Sequence, residues 1–337
     1  MNVRVGVVGV GHFGRNHARI YAGMEGVELA VVADPDEDRR EAMGDLYGCR
    51  GVSDYTEVDG VDAVSVAVPT VFHEKVACHF LERGIPVLVE KPLADSVAAA
   101  ERIVATAKEH GTFVGVGHVE RFNPVVKAAT KLGIDPLFIE CHRLNPFSFR
   151  ATDVGVVLDL MIHDLDVILH FVKSKLAQVD AVGIGILSQY EDIANARLRF
   201  ENGAVVNVTA SRVAVQTMRK IRVFSPDSYI SLDYGQREGV IYRKSPKLTL
   251  DLVKQITESP DSLADLKGQE SVFGELLHQE TMPLEERDAL EMELGNFVEA
   301  VRRGGSPEVT GEHGLEVVRI AHAILAEIDR ARAAAGQ

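Results

Sequence analysis

The fold is decided by residues 3–14, VRVGVVGVGHFG, in which an apolar run leads directly into three closely spaced glycines. The run predicts a buried strand, and the glycines match a GxGxxG loop that opens a helix. The first glycine makes a tight turn, the second lets a diphosphate approach the backbone, and the third lets helix and strand pack closely. The stretch therefore predicts a dinucleotide-binding unit whose cofactor-binding residues are Gly9, Gly11, His12, Phe13 and Gly14.

An acidic residue follows the second apolar run of the chain. Asp34 stands directly after the run 28–33, where a carboxylate accepts a hydrogen bond from the adenosine ribose. The same carboxylate repels a 2′-phosphate, although Arg39 and Arg40 lie nearby in the sequence. We therefore expect NAD as the cofactor, in preference to NADP.

The first part of the chain alternates apolar runs with amphipathic stretches. The runs are rich in Val, Ile and Ala and lie at 3–8, 28–33, 61–68, 86–89 and 112–116. They lack strict alternation, which is typical of strands buried on both faces of a parallel sheet. Residues 1–118 are therefore predicted to form a Rossmann domain, a doubly wound parallel α/β sheet.

The pattern changes in residues 119–337, which are predicted to form a substrate-binding and oligomerisation domain. Several strand patterns alternate strictly, and Asn202-Gly203 is typical of a hairpin turn. We expect an α+β domain with an open, mostly antiparallel sheet, a loop-rich segment at 244–285, and two helices at 286–302 and 312–333. One sheet face is left for burial, which predicts a homodimer or homotetramer.

The composition excludes several classes of protein. The 337 residues carry 36 Lys and Arg against 50 Asp and Glu, which gives a net charge of −14. The proportions of hydrophobic and charged residues are typical of a globular chain. This charge repels the phosphates of nucleic acid. No apolar run approaches the about 20 residues that cross a bilayer, and the three scattered cysteines indicate neither a disulfide framework nor a thiolate metal site. We expect a cytoplasmic protein with a small-molecule substrate and no nucleic-acid, membrane or metal partner.

Two further segments follow predicted strands of the first domain. Pro69, Thr70 and His73 come at or after the end of the apolar run 61–68, and Glu90 and Lys91 close the next run, 86–89. Ligands bind beyond the carboxyl ends of such strands, so these residues are candidates for the nicotinamide side of the cofactor site. The alternatives are a helix-capping threonine, a solvated histidine and a solvated loop lysine.

A polar stripe interrupts a long apolar helix pattern at 156–172. Asp159, His163 and Asp166 stand at positions i, i+4 and i+7, which share one face of an α-helix. An acid placed four residues before a histidine can orient the imidazole for proton transfer. A metal site without a clear third ligand and a purely structural Asp–His pair are the alternatives.

The order of these motifs resembles the Gfo/Idh/MocA oxidoreductases. The resemblance rests on the glycine loop, Pro69-Thr70, Glu90-Lys91-Pro92 and the Asp159-x-x-x-His163 helix, and it covers nearly the whole chain. It implies a Rossmann domain followed by an open-sheet domain, and reversible hydride transfer between NAD(P) and a sugar or polyol carbon. It also implies that Lys91 and His163 transfer the proton and that Asp159 positions the substrate hydroxyl and the histidine.

Residues 117–124, which connect the two domains, and residues 159–166 are similar to the corresponding segments of the nucleotide-sugar branch of that family. This similarity implies oxidation of UDP-N-acetylglucosamine or a related nucleotide sugar at C3. Arg143 and Arg150 are candidates for a diphosphate, and Arg121 for a phosphate. A polar linker whose arginine pairs with a neighbouring acid is the alternative. The expected substrate-binding residues are His118, Glu120, Arg121, Asn123, Arg150, Asp159 and His163.

Two other functions are compatible with the sequence. One is a dehydrogenase of free sugars or inositol, which needs no cations for phosphates. The other is a non-catalytic regulator that binds NAD and senses redox state. The presence of Lys91, Asp159 and His163 argues against the regulator, because a sensor has no need of a proton relay.

Overall fold

A computed structural model describes residues 2–148, 154–245 and 277–334 and contains two sheets. The strands of the first sheet are β1 (Val3–Val8), β2 (Val27–Ala33), β3 (Arg50–Val52), β4 (Ala63–Val66), β5 (Val87–Glu90) and β6 (Val114–Gly117). All neighbouring strands are parallel, in the order β3-β2-β1-β4-β5-β6. The order reverses between β1 and β4, and ligands of doubly wound sheets bind at that point.

Four helices connect these strands, as the alternating pattern predicted. They are α1 (Gly14–Gly23), α2 (Glu37–Tyr47), α3 (His73–Leu81) and α4 (Val97–Glu109). Asp36 caps α2 by accepting from the backbone N–H of Arg39, and Ser96 caps α4 by accepting from that of Ala99. The predicted Rossmann fold is confirmed.

The second sheet has eight strands in the order β14-β13-β12-β11-β7-β10-β9-β8. They are β7 (Phe138–Leu144), β8 (Leu176–Ile184), β9 (Ile193–Phe200), β10 (Val205–Ser211), β11 (Met218–Phe224), β12 (Ser228–Asp233), β13 (Glu238–Lys244) and β14 (Leu277–Thr281). Only β7 and β10 pair in parallel among these described strands. Gly203, with a φ of +87°, turns β9 into β10 and confirms the predicted hairpin. The mostly antiparallel sheet is also confirmed.

Helices cover one face of the second sheet. The covering elements are α5 (Pro124–Thr130), a π turn (Val157–Met161), α6 (Ile162–Val172) and α8 (Gly311–Ala334). A 3-10 turn (Val119–Phe122) precedes α5, and α7 (Ala289–Arg303) precedes α8. Leu165 and Ile168 of α6 pack with Ile139 of β7 and Ile221 of β11 in one buried core. Alternate strand residues point to the other face and are only partly buried.

The last two helices connect the two halves of the molecule. Leu294, Phe297 and Val298 of α7 pack into the core on one side of the first sheet. The N-terminal part of α8 contributes Leu315 to the first domain, and its later turns contribute Ile324 to the second core. The domain boundary at residue 118 stays a proposal, because the chain leaves the first sheet after β6 and returns to it in α7.

The segment 244–285 differs in part from its predicted loop. Residues 277–281 form β14, an edge strand that pairs with β13 and carries exposed polar side chains. Residues 246–276 lie outside the described part of the chain. No helix in the described ranges is both long and apolar enough to cross a membrane.

Candidate active site

A cavity of about 780 Å³ lies at the carboxyl edge of the first sheet, where the strand order reverses. Its walls come from the glycine loop, from segments at the ends of β1, β2, β4 and β5, and from the π turn before α6. The sequence-predicted residues that line it are Gly9, Gly11, His12, Phe13, Asp34, Pro69, Thr70, His73, Glu90, Lys91 and Asp159. The structure thus brings most of the predicted cofactor residues together.

The glycine loop has the shape that a dinucleotide needs. Gly9 has a φ of +83°, and a Cβ there would lie 2.7 Å from the carbonyl oxygen of Ala67. A Cβ at Gly14 would lie 1.7 Å from the carbonyl oxygen of Gly9, so no side chain fits between helix and loop. A Cβ at Gly11 would meet nothing within 4 Å, which leaves open space beside its backbone on the cavity wall. A dinucleotide pyrophosphate fits beside Gly11 and the N-terminus of α1.

Asp34 follows β2, and two backbone groups hold its carboxylate. Oδ2 accepts from the N–H of Val10 at 2.9 Å, and Oδ1 accepts from the N–H of Asp36 at 3.0 Å. The side chain lines the cavity, and the guanidinium of Arg39 pairs with Asp36 at 3.2 Å. The loop that binds the pyrophosphate therefore also fixes the carboxylate that is placed to accept from the ribose.

His73 braces two loops of the cavity wall. Its Nε2 lies 2.9 Å from the carbonyl oxygen of Val68, and its Nδ1 lies 2.9 Å from that of Pro92. The side chain is buried, and burial lowers its pKa. We predicted a contact between His73 and the cofactor, but the protein backbone engages both ring nitrogens. The side chain also lines the cavity, so its contact with the cofactor stays a prediction.

Glu90 links the end of β5 to the first helix. Its Oε1 lies 2.9 Å from Nε2 of His17, a buried residue of α1, and its Oε2 accepts from the N–H of Lys91 at 3.3 Å. Burial raises the pKa of Glu90, but His17 and Lys91 outweigh it and hold that pKa below its ordinary value. Sequence reasoning missed His17, whose signal is its place on the buried face of α1, about one turn after Gly14.

Lys91 reaches across the cavity to the second domain. Its Nζ donates to the backbone carbonyl of Asp159 at 2.8 Å and lies 3.5 Å from the Oδ1 of the same residue. The Lys91 side chain is only 13% exposed, and burial lowers its pKa against the opposing effects of Asp159 and Glu90. The ammonium group is therefore held at the meeting point of the two domains.

His163 lies at the start of α6, one turn after Asp159. Its Nδ1 is buried and has no hydrogen-bond partner within the described chain. Burial, together with the charges of Lys91 and Arg143, holds the pKa of His163 well below its ordinary value. The imidazole is therefore neutral at physiological pH and able to accept a proton. The expected hydrogen bond from Asp159 to His163 is absent among the described contacts, because Asp159 lies in a π turn and faces Lys91.

Asp166, the third residue of the predicted polar stripe, does not face the cavity. Its carboxylate is fully buried and pairs with Arg121, whose Nε donates to Oδ2 at 2.9 Å. The Nη1 of Arg121 also lies 2.9 Å from Nδ1 of His170. Arg121 is 3% exposed and lies outside the cavity lining. The expected phosphate contact is replaced by an internal ion pair, because a buried guanidinium needs a counter-charge.

A second buried network engages Arg143, Glu120 and Asn123. The Nε of Arg143 donates to Asp164 at 2.7 Å, and its Nη1 donates to Glu120 at 3.0 Å. The Nδ2 of Asn123 donates to the other oxygen of Glu120 at 3.0 Å. These three side chains were expected to face the substrate, and instead they hold β7, the 3-10 turn and α6 together.

Two predicted substrate residues remain. His118 is 1% exposed, and neither ring nitrogen has a partner in the described part of the molecule. Burial lowers the pKa of His118, which does not line the cavity. Arg150 lies outside the described residues.

Family models match both halves of the chain. Residues 3–118 match the model described as "Oxidoreductase family, NAD-binding Rossmann fold", and residues 135–228 match the "GFO/IDH/MocA C-terminal domain". The first match spans the glycine loop, Asp34 and Lys91, and the second spans Asp159 and His163. The cofactor of the first domain is NAD.

Curated relatives and solved structures agree with these matches. UDP-N-acetylglucosamine 3-dehydrogenase of Acidithiobacillus ferrooxidans is 32% identical over 89% of this chain and 89% of its own length. A solved structure of that enzyme, GnnA, covers 98% of this chain and 99% of its own with a TM-score of 0.84 and 29% identity. The scyllo-inositol 2-dehydrogenase (NAD(+)) of Bacillus subtilis is 26% identical over 91% of this chain and 89% of its own length.

A levoglucosan dehydrogenase solved with NADH and levoglucosan shares the fold, with a TM-score of 0.82 and 19% identity over 98% of each chain. Both domains of the chain are thus accounted for by one family, and the glycine loop, Lys91, Asp159 and His163 stand in the matched segments. The protein is therefore an enzyme that belongs to the Gfo/Idh/MocA family of NAD-dependent oxidoreductases.

Proposed function

We propose that the enzyme oxidises the C3 hydroxyl of UDP-N-acetylglucosamine, or of a closely related nucleotide sugar, to a ketone. The observation that carries the chemistry is the contact between Lys91 and Asp159 across the cavity, beside a neutral His163. Similarity to the Acidithiobacillus enzyme over 89% of the chain supports the choice of substrate.

NAD, when bound in the cavity, would supply the acceptor for the hydride that leaves the substrate carbon. The protein handles the proton of the same hydroxyl group. His163 is neutral and takes that proton as a general base. Lys91 stands beside the oxygen as a cation and stabilises the negative charge that develops there. Asp159 holds the ammonium group in place through its carbonyl and its carboxylate.

The site residues keep their proposed roles on this basis. Gly9, Gly11 and Gly14 shape the pyrophosphate site and Asp34 receives the ribose, while His12, Phe13, Pro69 and Thr70 line the cavity. Arg121, Glu120 and Asn123 are assigned to the domain interior. The cytoplasmic location stays a prediction from the sequence.

Oxidation of inositol or a free sugar is the second candidate function. The similarity to the Bacillus scyllo-inositol 2-dehydrogenase over 91% of the chain favours it. The lysine, aspartate and histidine would act on a ring hydroxyl in the same way, so these residues do not separate the two substrates. A non-catalytic regulator fits less well, because it has no use for a cavity lysine bound to Asp159 or for a neutral histidine one turn after that aspartate.

An absorbance assay for NADH separates these functions. The purified enzyme is mixed with NAD and, in turn, with UDP-N-acetylglucosamine, other UDP-sugars, N-acetylglucosamine and inositol. We expect NADH from the UDP-sugars alone. UDP-N-acetylglucosamine carrying deuterium at C3 then identifies the carbon, because the label must appear in the reduced cofactor by mass spectrometry. NADH formed only with inositol would reject the nucleotide sugar, and NAD binding without turnover would indicate the regulator.

We also propose that the enzyme is a homodimer or homotetramer assembled through the open face of the second sheet. Four aromatic rings form a stacked row on that face, with centroid distances of 5.6, 4.7 and 5.3 Å along Phe138, Phe224, Tyr229 and Tyr242. Val182 and Ile184 are more than half exposed at its β8 edge. An apolar surface of this kind is typical of a contact between copies of one chain. Light scattering after size exclusion measures the assembly, and a monomer at micromolar concentration would reject it.

A further inference from the structure

An arginine that the sequence did not single out lies opposite Arg143, whose guanidinium binds Asp164, the residue after His163 in α6. Arg219 belongs to β11 and is the direct cross-strand neighbour of Arg143 in β7. Ile221 and Val223 of the same strand are buried against the helices, so Arg219, two residues before Ile221, points to the same face as α6. The side chain is exposed, whereas Arg143 is buried beneath that helix. Arg219 thus marks the end of the helix-covered face beside the start of α6.

The two neighbouring arginines differ in their counter-charges. Arg143 pairs with both Asp164 and Glu120. Arg219 makes no ion pair, and its guanidinium makes no hydrogen bond with the described residues; its backbone carbonyl accepts from the N–H of Tyr234 at 2.9 Å. Arg219 therefore offers an exposed positive charge that an anionic ligand can neutralise.

The other cations near His163 are already engaged. The side chains whose positive charges lower the pKa of His163 include Lys91, Arg143 and Arg219. Lys91 is bound to Asp159, and Arg143 is bound to two carboxylates. Arg121, expected from the sequence to bind phosphate, is buried with Asp166. Of these four cations, Arg219 alone has a guanidinium or ammonium group free for a ligand within the described structure.

We infer that Arg219 binds a phosphate of the diphosphate group of the substrate while the sugar lies between Lys91 and His163. This inference rests on the proposed function, since it assumes a nucleotide sugar. A planar guanidinium matches two phosphate oxygens and forms charge-assisted hydrogen bonds with them. It also explains how an enzyme with a net charge of −14 holds a dianionic substrate.

Calorimetric titration of UDP into the NADH-saturated enzyme tests the inference. UDP carries the diphosphate without the sugar, and NADH keeps it out of the cofactor site. We expect Arg219→Gln to raise the Kd for UDP about ten- to hundredfold, the loss typical of a hydrogen bond to a charged group. Arg219→Lys keeps the charge and should recover part of that loss. The Kd for NADH should stay unchanged in both variants.

Arg303→Gln is the matched control, because it removes the same charge from an exposed side chain at the end of α7. An unchanged Kd for UDP in Arg219→Gln overturns the inference, and so does an equal rise in the Kd values for UDP and NADH. The proposed function is judged separately by turnover of the wild type. If the wild type binds UDP through Arg219 but oxidises no nucleotide sugar, the C3 assignment fails and the phosphate site stands.

Discussion

The ammonium group of Lys91 donates a hydrogen bond to the backbone carbonyl of Asp159 at 2.8 Å and so joins the two domains at the active site. Lys91 follows β5 of the first sheet, whereas Asp159 lies in the π turn that leads into α6. A π turn adds a residue to the helical ring and is frequent at functional sites. Here the Asp159 carbonyl at this turn faces the first domain, where the lysine ammonium binds it.

His163→Ala should lower kcat by about 10²–10⁴-fold, the usual contribution of a general base. Lys91→Ala should lose at least as much, because it removes the cation that stabilises the developing charge. The double variant should lose much less than the product of the two, since both groups act on one oxygen. The measurement is steady-state turnover with UDP-N-acetylglucosamine, together with the Kd for NAD.

His110→Ala serves as the control, because His110 is exposed at the end of α4. It should leave kcat within about twofold of the wild type. Fully multiplicative losses in the Lys91 and His163 double variant would mean that the two groups act in separate steps.

Activity should persist on the acid side of neutrality. The pKa of His163 is held well below the ordinary histidine value of about 6.5, first by burial and then by Lys91 and Arg143. The base stays unprotonated until the pH falls below that lowered pKa, so kcat/KM should decline only there. On the alkaline side, activity should decline as the Lys91 cation loses its proton. Burial lowers the pKa of Lys91, so this decline should begin at a pH lower than the ordinary lysine pKa of about 10.4. A pH profile of kcat/KM checks both limbs, and an acid limb centred at about pH 6.5 would show that His163 is not the base.

Asp34→Asn should weaken NAD binding and narrow the preference for NAD over NADP. Asparagine keeps an oxygen that can accept from the N–H of Val10, so the glycine loop retains its shape. The variant removes the negative charge that binds the ribose hydroxyls and repels a 2′-phosphate. Fluorescence titration of NADH and NADPH into both proteins gives the ratio of Kd values. Asp38→Asn, an exposed change in α2, is the charge control, and equal wild-type affinities for the two cofactors would contradict the role of Asp34.

The sequence was most informative where backbone geometry requires one residue type. Gly9 and Gly14 admit no Cβ, so the loop was recognisable from its glycines alone. Asp34 and Lys91 were predictable because each directly follows a strand whose carboxyl end must face the cleft.

The sequence was least informative about which charges neutralise one another. Arg121 and Asp166 are 45 residues apart in the chain, and the pattern predicts neither their contact nor the burial of the guanidinium. The π turn at Val157–Met161 shifted Asp159 from the face it would share with His163 in an α-helix. The contact between Asp159 and Lys91 joins residues 68 apart in the chain, so no local pattern predicts it.

Arg121→Ala should reduce stability rather than substrate affinity. The guanidinium is buried against Asp166 and His170, so its removal leaves a carboxylate unpaired in the interior. Breaking a buried pair from one side costs about 3–5 kcal/mol. Replacing both partners, as in Arg121→Met with Asp166→Leu, should restore much of that loss. Chemical denaturation gives the free energy of unfolding. A raised KM for UDP-N-acetylglucosamine with an unchanged free energy of unfolding would contradict the structural role and indicate that Arg121 binds the substrate.

Glu293→Gln should stabilise the enzyme increasingly as the pH rises. Glu293 lies on α7 with its side chain 2% exposed, and neither carboxyl oxygen has a hydrogen-bond partner among the described residues. Burial, followed by the charges of Glu90 and Asp166, holds the pKa of Glu293 well above its ordinary value. The folded state therefore keeps a proton that the unfolded chain loses at about pH 4.3. The resulting stability is complete below that pH and declines as the pH rises toward the folded-state pKa.

Glutamine has nearly the same shape and no proton to lose, so its Tm advantage over the wild type should grow between about pH 5 and about pH 8. Differential scanning calorimetry across this range measures the trend. Glu299→Gln, on the exposed side of the same helix, should show no such trend. A Tm difference that stays constant with pH would mean that Glu293 is ionised in the folded enzyme. The charge of Glu90 argues against ionisation of Glu293. Because His17 and Lys91 hold Glu90 ionised, a negative charge on Glu293 would be repelled by Glu90 and would have no counter-charge of its own.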